Sequence, residues 1–285
     1  MWLWMAIGSA LLLGVYDVAK KQCLGKNGVL WVIFAVSFIS TVFLSPFLSF
    51  THPSVEYWRL LLKSVFVAAC WVSGLAAMKW LPLTTVSTIK ASRPVFVVVL
   101  SIIIFGERLN VWQWSGVALG LLSLFLLSRT SRTEGNGVSH TRGVVYMVIS
   151  VATGVASALY DKYCVRLMDP LFVQSWSNFF ITALLALWIA VKAVRDGRER
   201  EKFHWDWLLV LTAVFIVGAD ALYFFALKQE GSLLSVVALL RRLSAVVTFI
   251  FGAVMFKEKN LKAKSLDLAL LMVGMALLVY GSTQA

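Results

Sequence analysis

The chain has 285 residues, 60% of them hydrophobic and only 14% charged, and its mean hydropathy is +0.84. Water-soluble domains carry about a quarter charged residues, so this balance excludes an ordinary soluble globular protein. The net charge of +12 would suggest nucleic acid in a soluble chain. Here the Lys and Arg residues fall mostly between apolar runs, where they meet anionic lipid or set topology, and no nucleic-acid partner is expected.

Ten apolar spans follow one another, at about 2–22, 28–49, 59–80, 83–105, 111–128, 143–165, 171–192, 207–228, 232–256 and 265–283. Each approaches the ~20 residues that cross a bilayer core as a helix. They lack strict alternation and are about twice the length of a barrel strand. Lipid also leaves no water for a backbone that is not internally bonded, so helices are predicted. The fold class is therefore all-α integral membrane, with ten transmembrane helices. The first span has no basic leader and contains Asp17, which favours a retained helix over a cleaved signal. Most tryptophans sit near span ends, as interfacial anchors do, while Trp71 and Trp176 lie inside their spans. Cys23, Cys70 and Cys164 are isolated and odd in number, with neither a disulfide framework nor metal spacing.

Basic residues following the odd-numbered spans number about 16, against about 6 on the other side: Arg59, Lys63, Arg108, Lys162, Arg166 and Lys228. The positive-inside rule then puts both termini outside the cytoplasm. The longest polar stretches, 129–142 and 192–206, are too short for a soluble domain. The first of them reads as a linker.

An internal repeat surrounds that linker. Lys90 to Glu107 (KASRPVFVVVLSIIIFGE) and Arg241 to Glu258 (RRLSAVVTFIFGAVMFKE) each run from a cation through an apolar stretch to Phe-x-Glu. Tyr16-Asp17 in span one is matched by Tyr160-Asp161 in span six, and Ala77-Met-Lys79 by Ala226-Leu-Lys228. The halves are predicted at 1–128 and 143–285, joined by 129–142. Five spans per half is odd, so the second copy must run oppositely through the membrane. Two inverted repeats with a midplane site between them is a secondary-transporter architecture.

The ten-span plan, Arg93-Pro94-Val-Phe in span four, its exit through Phe105-Gly-Glu-Arg-Leu109, and the second copy ending Phe256-Lys-Glu-Lys259 resemble the drug/metabolite transporter superfamily, specifically its two-repeat EamA-type members. The resemblance covers roughly 2–283. It implies a basket in which helices one to four and six to nine line a central cavity, with five and ten at the periphery. It also implies a multi-pass protein of a bacterial inner membrane that handles a small-molecule solute. The second copy departs from the pattern where Ser244-Ala245 replaces Arg93-Pro94. Helix nine then lacks the proline kink open to helix four, and Pro94 marks helix four as the one to bend.

Arg241 and Arg242 lie about nine residues into span nine, ~13 Å deep at 1.5 Å per residue, and Lys90 and Arg93 lie at similar depth in span four. A charge at that depth costs about 2.5 to 3.5 kcal/mol on insertion scales, so these four should face a cavity or a partner. Asp220, mid-span in helix eight, is a mate for one arginine. Asp17 and Asp161 lie nearer span ends, where Lys20, Lys21 or Lys162 can neutralise them locally. Two or three cations are then left over, and surplus guanidinium is complementary to phosphate or carboxylate. Lys90, Arg241 and Arg242 together resemble the phosphate-binding set of triose-phosphate/phosphate translocators of the same superfamily.

Trp71 and Tyr223 are candidate cavity walls, with ordinary packing as the alternative. Tyr16, Asp17, Tyr160 and Asp161 are candidate gate or proton-coupling groups, against snorkelling helix ends. Gln174, Ser37 and Asn178 offer polar contacts to solute or to neighbouring helices. Gly116-Val-Ala-Leu-Gly120 suits either a dimer or the seating of helix five in its own bundle, with a monomer expected. No cofactor or metal is implied. His52, His140 and His204 all lie in loops, and no span holds a catalytic constellation, so an enzyme is disfavoured. A non-transporting scaffold has no need of midplane arginines. Within transport, export of neutral amino acids or cationic drugs is the rival, and a cationic-drug exporter would call for carboxylates in the cavity.

Overall fold

The structure is a computed structural model that describes residues 1–25, 27–77, 80, 89, 92–130, 138–195, 203–244, 246–248, 251 and 261–283, with backbone alone at 124–130, 138–140, 193, 195, 261–268 and 271. Ten α-helices appear among them: α1 (Trp2–Leu24), α2 (Val29–Leu44), α3 (Ser54–Ala77), α4 (Arg93–Phe105), α5 (Val111–Thr130), α6 (Val138–Leu167), α7 (Pro170–Arg195), α8 (Trp207–Lys228), α9 (Leu234–Leu240) and α10 (Leu261–Thr283). Six, namely α1, α2, α3, α6, α7 and α8, meet the length and hydropathy needed to cross a membrane; α4 and the Met272–Thr283 part of α10 are shorter apolar helices.

Short connections are closed by local chemistry. Asp206 accepts a hydrogen bond from Leu208 N to cap α8, and Asp169 accepts one from Leu171 N ahead of Pro170 at the start of α7. Gly106, at φ +63°, ends α4 in the left-handed conformation that only glycine adopts without strain, turning the chain so that Glu107 points back into the bundle.

The packing has two-fold character. α1 packs chiefly on α8 and α3 on α6, while α2 contacts α7 and α8, α7 contacts α3, and the pairs α4 with α9 and α5 with α10 complete the set. Exchanging each helix for the one five places along turns α1·α8 into α6·α3 and α2·α8 into α7·α3, and leaves α2·α7, α4·α9 and α5·α10 unchanged. Two inverted five-helix repeats give this pattern. Small residues allow the close approaches. Ala6, Ser9, Ala10 and Gly14 are buried along α1, and Ser9 Oγ donates to the Ala219 carbonyl of α8 at 2.7 Å. Gly116 lies so near α10 that a Cβ there would stand 2.6 Å from the Gly274 carbonyl oxygen. The small-residue motif of helix five thus seats it in its own bundle.

The outer surface is apolar, with Ile103, Ile104, Val148 and Leu187 exposed, whereas Lys63, Glu107, Asp161, Lys162 and Gln174 are buried. That inversion suits a protein whose solvent is lipid. It also corrects two expectations: Lys63 and Lys162, counted above among loop cations, are interior residues at 4% and 1% exposure.

The interruptions are corrected too. Pro94 is not inside a continuous span but in the first turn of α4, with Ser92 as its N-cap. There its missing N–H costs nothing. α9, which lacks a proline, is also broken: α-helix stops at Leu240 and Arg241–Leu243 form a 3-10 turn before helix resumes at Ser244. In the repeat register Leu243, the last residue of that turn, answers Ser92, the N-cap ahead of α4, so regular helix gives way at matching positions in the described parts of both copies. Tightening to i→i+3 bonds needs no proline.

Candidate functional site

The first residue of α4 and the 3-10 turn that follows α9 bring Arg93, Arg241 and Arg242 among the packed helices. Arg241 Nη2 pairs with Asp220 Oδ1 of α8 at 2.8 Å, as the spacing suggested, and its guanidinium lies 4.3 Å above the ring of buried Tyr223. Planar guanidinium can satisfy both contacts at once. Arg241 Nε is nonetheless buried without a hydrogen-bond partner among the described residues. Tyr223 donates its hydroxyl to Asp161 Oδ2 at 3.4 Å, and Asp161 Oδ1 lies 3.3 Å from Lys63 Nζ. Lys63 in turn sits 5.0 Å over the Phe224 ring.

Arg93, at the start of α4, donates to the Gly154 carbonyl of α6. Any Cβ at residue 154 would stand 2.9 Å from Arg93 Cζ, so glycine makes the seat for that side chain. Arg242 is within electrostatic reach of Arg93, which it repels, and of Asp17, which attracts it. Asp17 also interacts with Lys20 and Arg241, and Lys20 lies 5.3 Å over the Tyr16 ring. Among the described residues, this linked centre holds five cations (Lys20, Lys63, Arg93, Arg241, Arg242) and three carboxylates (Asp17, Asp161, Asp220).

The pairing of Asp161 differs from expectation. It faces Lys63 across α3, not Lys162, because consecutive helical residues point about 100° apart. Lys162 turns the other way to Glu107, which the sequence marked only as the end of a repeat. Its Nζ meets Glu107 Oε1 at 2.7 Å and the Ser232 carbonyl at 2.8 Å. The Glu107 carboxylate also accepts from Leu234 N at 2.6 Å, Ser235 N at 3.1 Å, Ser235 Oγ at 2.5 Å and Ser101 Oγ at 3.2 Å. Glu107 thereby caps α9 from 127 residues away. Burial works against ionisation of Glu107, but the Lys162 charge and the hydrogen bonds outweigh it and hold the carboxyl below its usual range.

Other candidates are dispersed. Tyr160 turns from the charged centre toward Phe66 and Tyr163, with centroids at 6.1 and 5.5 Å. Trp71 is half-buried on α3. Gln174 donates to the Val217 carbonyl of α8 at 2.8 Å, and Asn178 accepts through its backbone from Thr182, so both make helix contacts. Trp176 donates to the Ser49 carbonyl within a cluster that includes Phe50 and Tyr57. Lys79, Lys90, Phe256 and Glu258 lie outside the described residues.

Comparison with known proteins bears on this arrangement directly. The sequence matches the EamA-like transporter family over residues 1–129 and again over 141–280. The chain belongs to that family. The two matches reproduce the division seen in the packing, and membership makes this EamA-like protein a multi-pass membrane transporter of the drug/metabolite type, with a small-molecule solute and a lipid environment. Among solved structures, a crystal structure 16% identical in sequence superposes with a TM-score of 0.74 over 98% of both chains, which shows a shared fold. No curated protein matches the chain.

Proposed function

We propose that this EamA-like protein is a secondary-active carrier for a small anionic metabolite in a bacterial inner membrane, working by alternating access. The observation that carries the reading is the excess of cations over carboxylates in the linked centre, where Arg241 Nε is buried with no hydrogen-bond partner among the described residues. A carboxylate or phosphate there would meet convergent N–H donors and two net positive charges in a site of low dielectric. Arg93, Arg241 and Arg242 are the proposed ligands, with Tyr223 and Trp71 as walls and Lys90 as a further cation from the same repeat position as Arg241.

Motion follows from the interruptions. The turn at Ser92 ahead of α4 and the 3-10 turn at Arg241–Leu243 after α9 are the points about which these helices reorient at the site, and α3 and α8 move with them. Substrate lowers the cost of enclosing the cations, so the loaded carrier closes more readily than the empty one. Exchange is therefore favoured over free flow.

A carrier of cationic drugs would need carboxylates in excess, whereas Asp17, Asp161 and Asp220 each have a cation beside them. The test is counterflow in proteoliposomes with organophosphates, organic anions, neutral amino acids and cationic drugs. Anions are expected to exchange, and Arg241→Ala or Arg242→Ala to abolish exchange in folded protein. Unchanged transport by either variant, or counterflow confined to neutral or cationic solutes, sinks the reading.

A further inference from the structure

We propose that the Lys63–Asp161 pair couples transport to protons: Asp161 accepts a proton at Oδ1 when an anion arrives to take over Lys63 as its counter-charge, and returns it when the anion leaves. The inference rests on the anionic reading above and adds the driving ion. It starts from an anomaly of geometry. Asp161 is 9% exposed, yet the contact of its Oδ1 with Lys63 Nζ is long, at 3.3 Å, and among the described residues Oδ1 has no well-aligned hydrogen bond. Its other oxygen receives a single long bond from Tyr223. A buried carboxylate held this loosely has room for a proton where Glu107, with every approach filled, has none.

The surroundings let one charge replace another. Facing Asp161 are Lys63 from α3, Tyr223 and Asp220 from α8 and Arg93 from α4, with Cys164 one turn along α6 itself. Lys162 and Tyr160 point elsewhere. Lys63 lies nine residues into α3 and Asp161 six from the end of α6, depths of ~13 and ~9 Å. Tyr223 touches both Asp161 and Arg241, so the pair adjoins the proposed anion ligands directly. Protonating Asp161 alone would strand the Lys63 ammonium in the interior, and adding an anion alone would set it against the carboxylate. Taken together, the two events keep the charge balanced. One proton from the aqueous phase forms the O–H bond on Asp161 as one negative charge enters. On the far side that bond breaks to water as the anion departs. By linkage, the proton must raise anion affinity by the factor with which the anion raises proton affinity.

The test is infrared difference spectroscopy on purified protein, following the carbonyl stretch of a protonated carboxyl through a pH titration. Wild type is expected to show a band that Asp161→Asn removes. Lys63→Ala should move its midpoint upward by about one pH unit, a tenfold change in proton affinity, and Lys63→Arg should restore it. Inorganic phosphate and succinate, used as anionic probes, should also move the wild-type midpoint upward. No titrating band in wild type, or a band that persists in Asp161→Asn, overturns the proposal. A proton signal with these properties that neither probe shifts overturns the coupling to anions. Failure of the anion reading itself is read separately, from wild-type counterflow at equal pH, where Asp161→Asn is expected to exchange anions yet lose accumulation driven by a pH gradient.

Discussion

Asp161 and Lys162 are neighbours in the chain, both buried, and each belongs to an ion pair, but the pairs are built in opposite ways. Glu107–Lys162 is closed: a 2.7 Å contact, four further hydrogen bonds to the carboxylate, and the ammonium shared with the Ser232 carbonyl. It ties the end of α4 to α6 and to the start of α9. Lys63–Asp161 is open, with the ion contact long and one oxygen lacking a well-aligned hydrogen bond among the described residues. Burial alone therefore does not distinguish scaffold from machinery here. Completeness of hydrogen bonding does, because a fully satisfied charge resists change and a half-satisfied one invites a ligand or a proton.

The contrast breaks most visibly at the site. Arg241→Ala removes the Asp220 pair and the cover over Tyr223, and about 2 to 5 kcal/mol of anion affinity should go with it, a loss of about thirtyfold or more that abolishes counterflow at the concentrations wild type exchanges. At the closed pair, Glu107→Ala strands Lys162 and uncaps α9. It should cost about 3 to 5 kcal/mol of stability, read as a lower unfolding midpoint in detergent, and Lys162→Met in the same chain should recover part of it. Asp161→Asn also leaves an ammonium, that of Lys63, without its carboxylate, but it uncaps no helix and forfeits only one long hydrogen bond, so it should cost less than Glu107→Ala in the same assay. A loss as large as that of Glu107→Ala would erase the distinction.

Two smaller effects sharpen it. Because the folded carboxyl of Glu107 lies below its ordinary range, its contribution to stability is complete above the unfolded value of about 4.3 and drains as pH falls through the folded value. Melting between about pH 5 and 3 should therefore fall more steeply for wild type than for Glu107→Gln, the two curves converging at the acid end. Gly116→Ala should push α5 from α10 and cost about 1 to 3 kcal/mol, with counterflow retained in the protein that folds, since neither helix supplies a proposed ligand.

Much of this was legible in the chain. Hydropathy marked ten helices, eight of them within about five residues of their bounds, while the described helix covers only part of the spans at 83–105 and 232–256; depth within its span marked Arg241 for a cavity or a partner, and spacing named Asp220 as a mate for one arginine. Lys63 and Lys162 were misread because a lysine within about ten residues of a span end looks like one that snorkels to the interface. The cap on α9 could have been suspected from the repetition of Phe-x-Glu, but nothing local says what that glutamate reaches. The break in α9 was missed because no proline announces it.

Apolar run length and an odd number of spans per repeat determine a ten-helix inverted-repeat membrane protein from sequence alone, since backbone bonding in lipid leaves helix as the answer and parity forces the inversion. Which charge faces which was decided by tertiary structure. A helix turns adjacent residues about 100° apart, so the partners of Asp161 and Lys162 depend on the helices that happen to lie on either side of α6, and those partners come from 98 residues upstream in one case and 55 in the other.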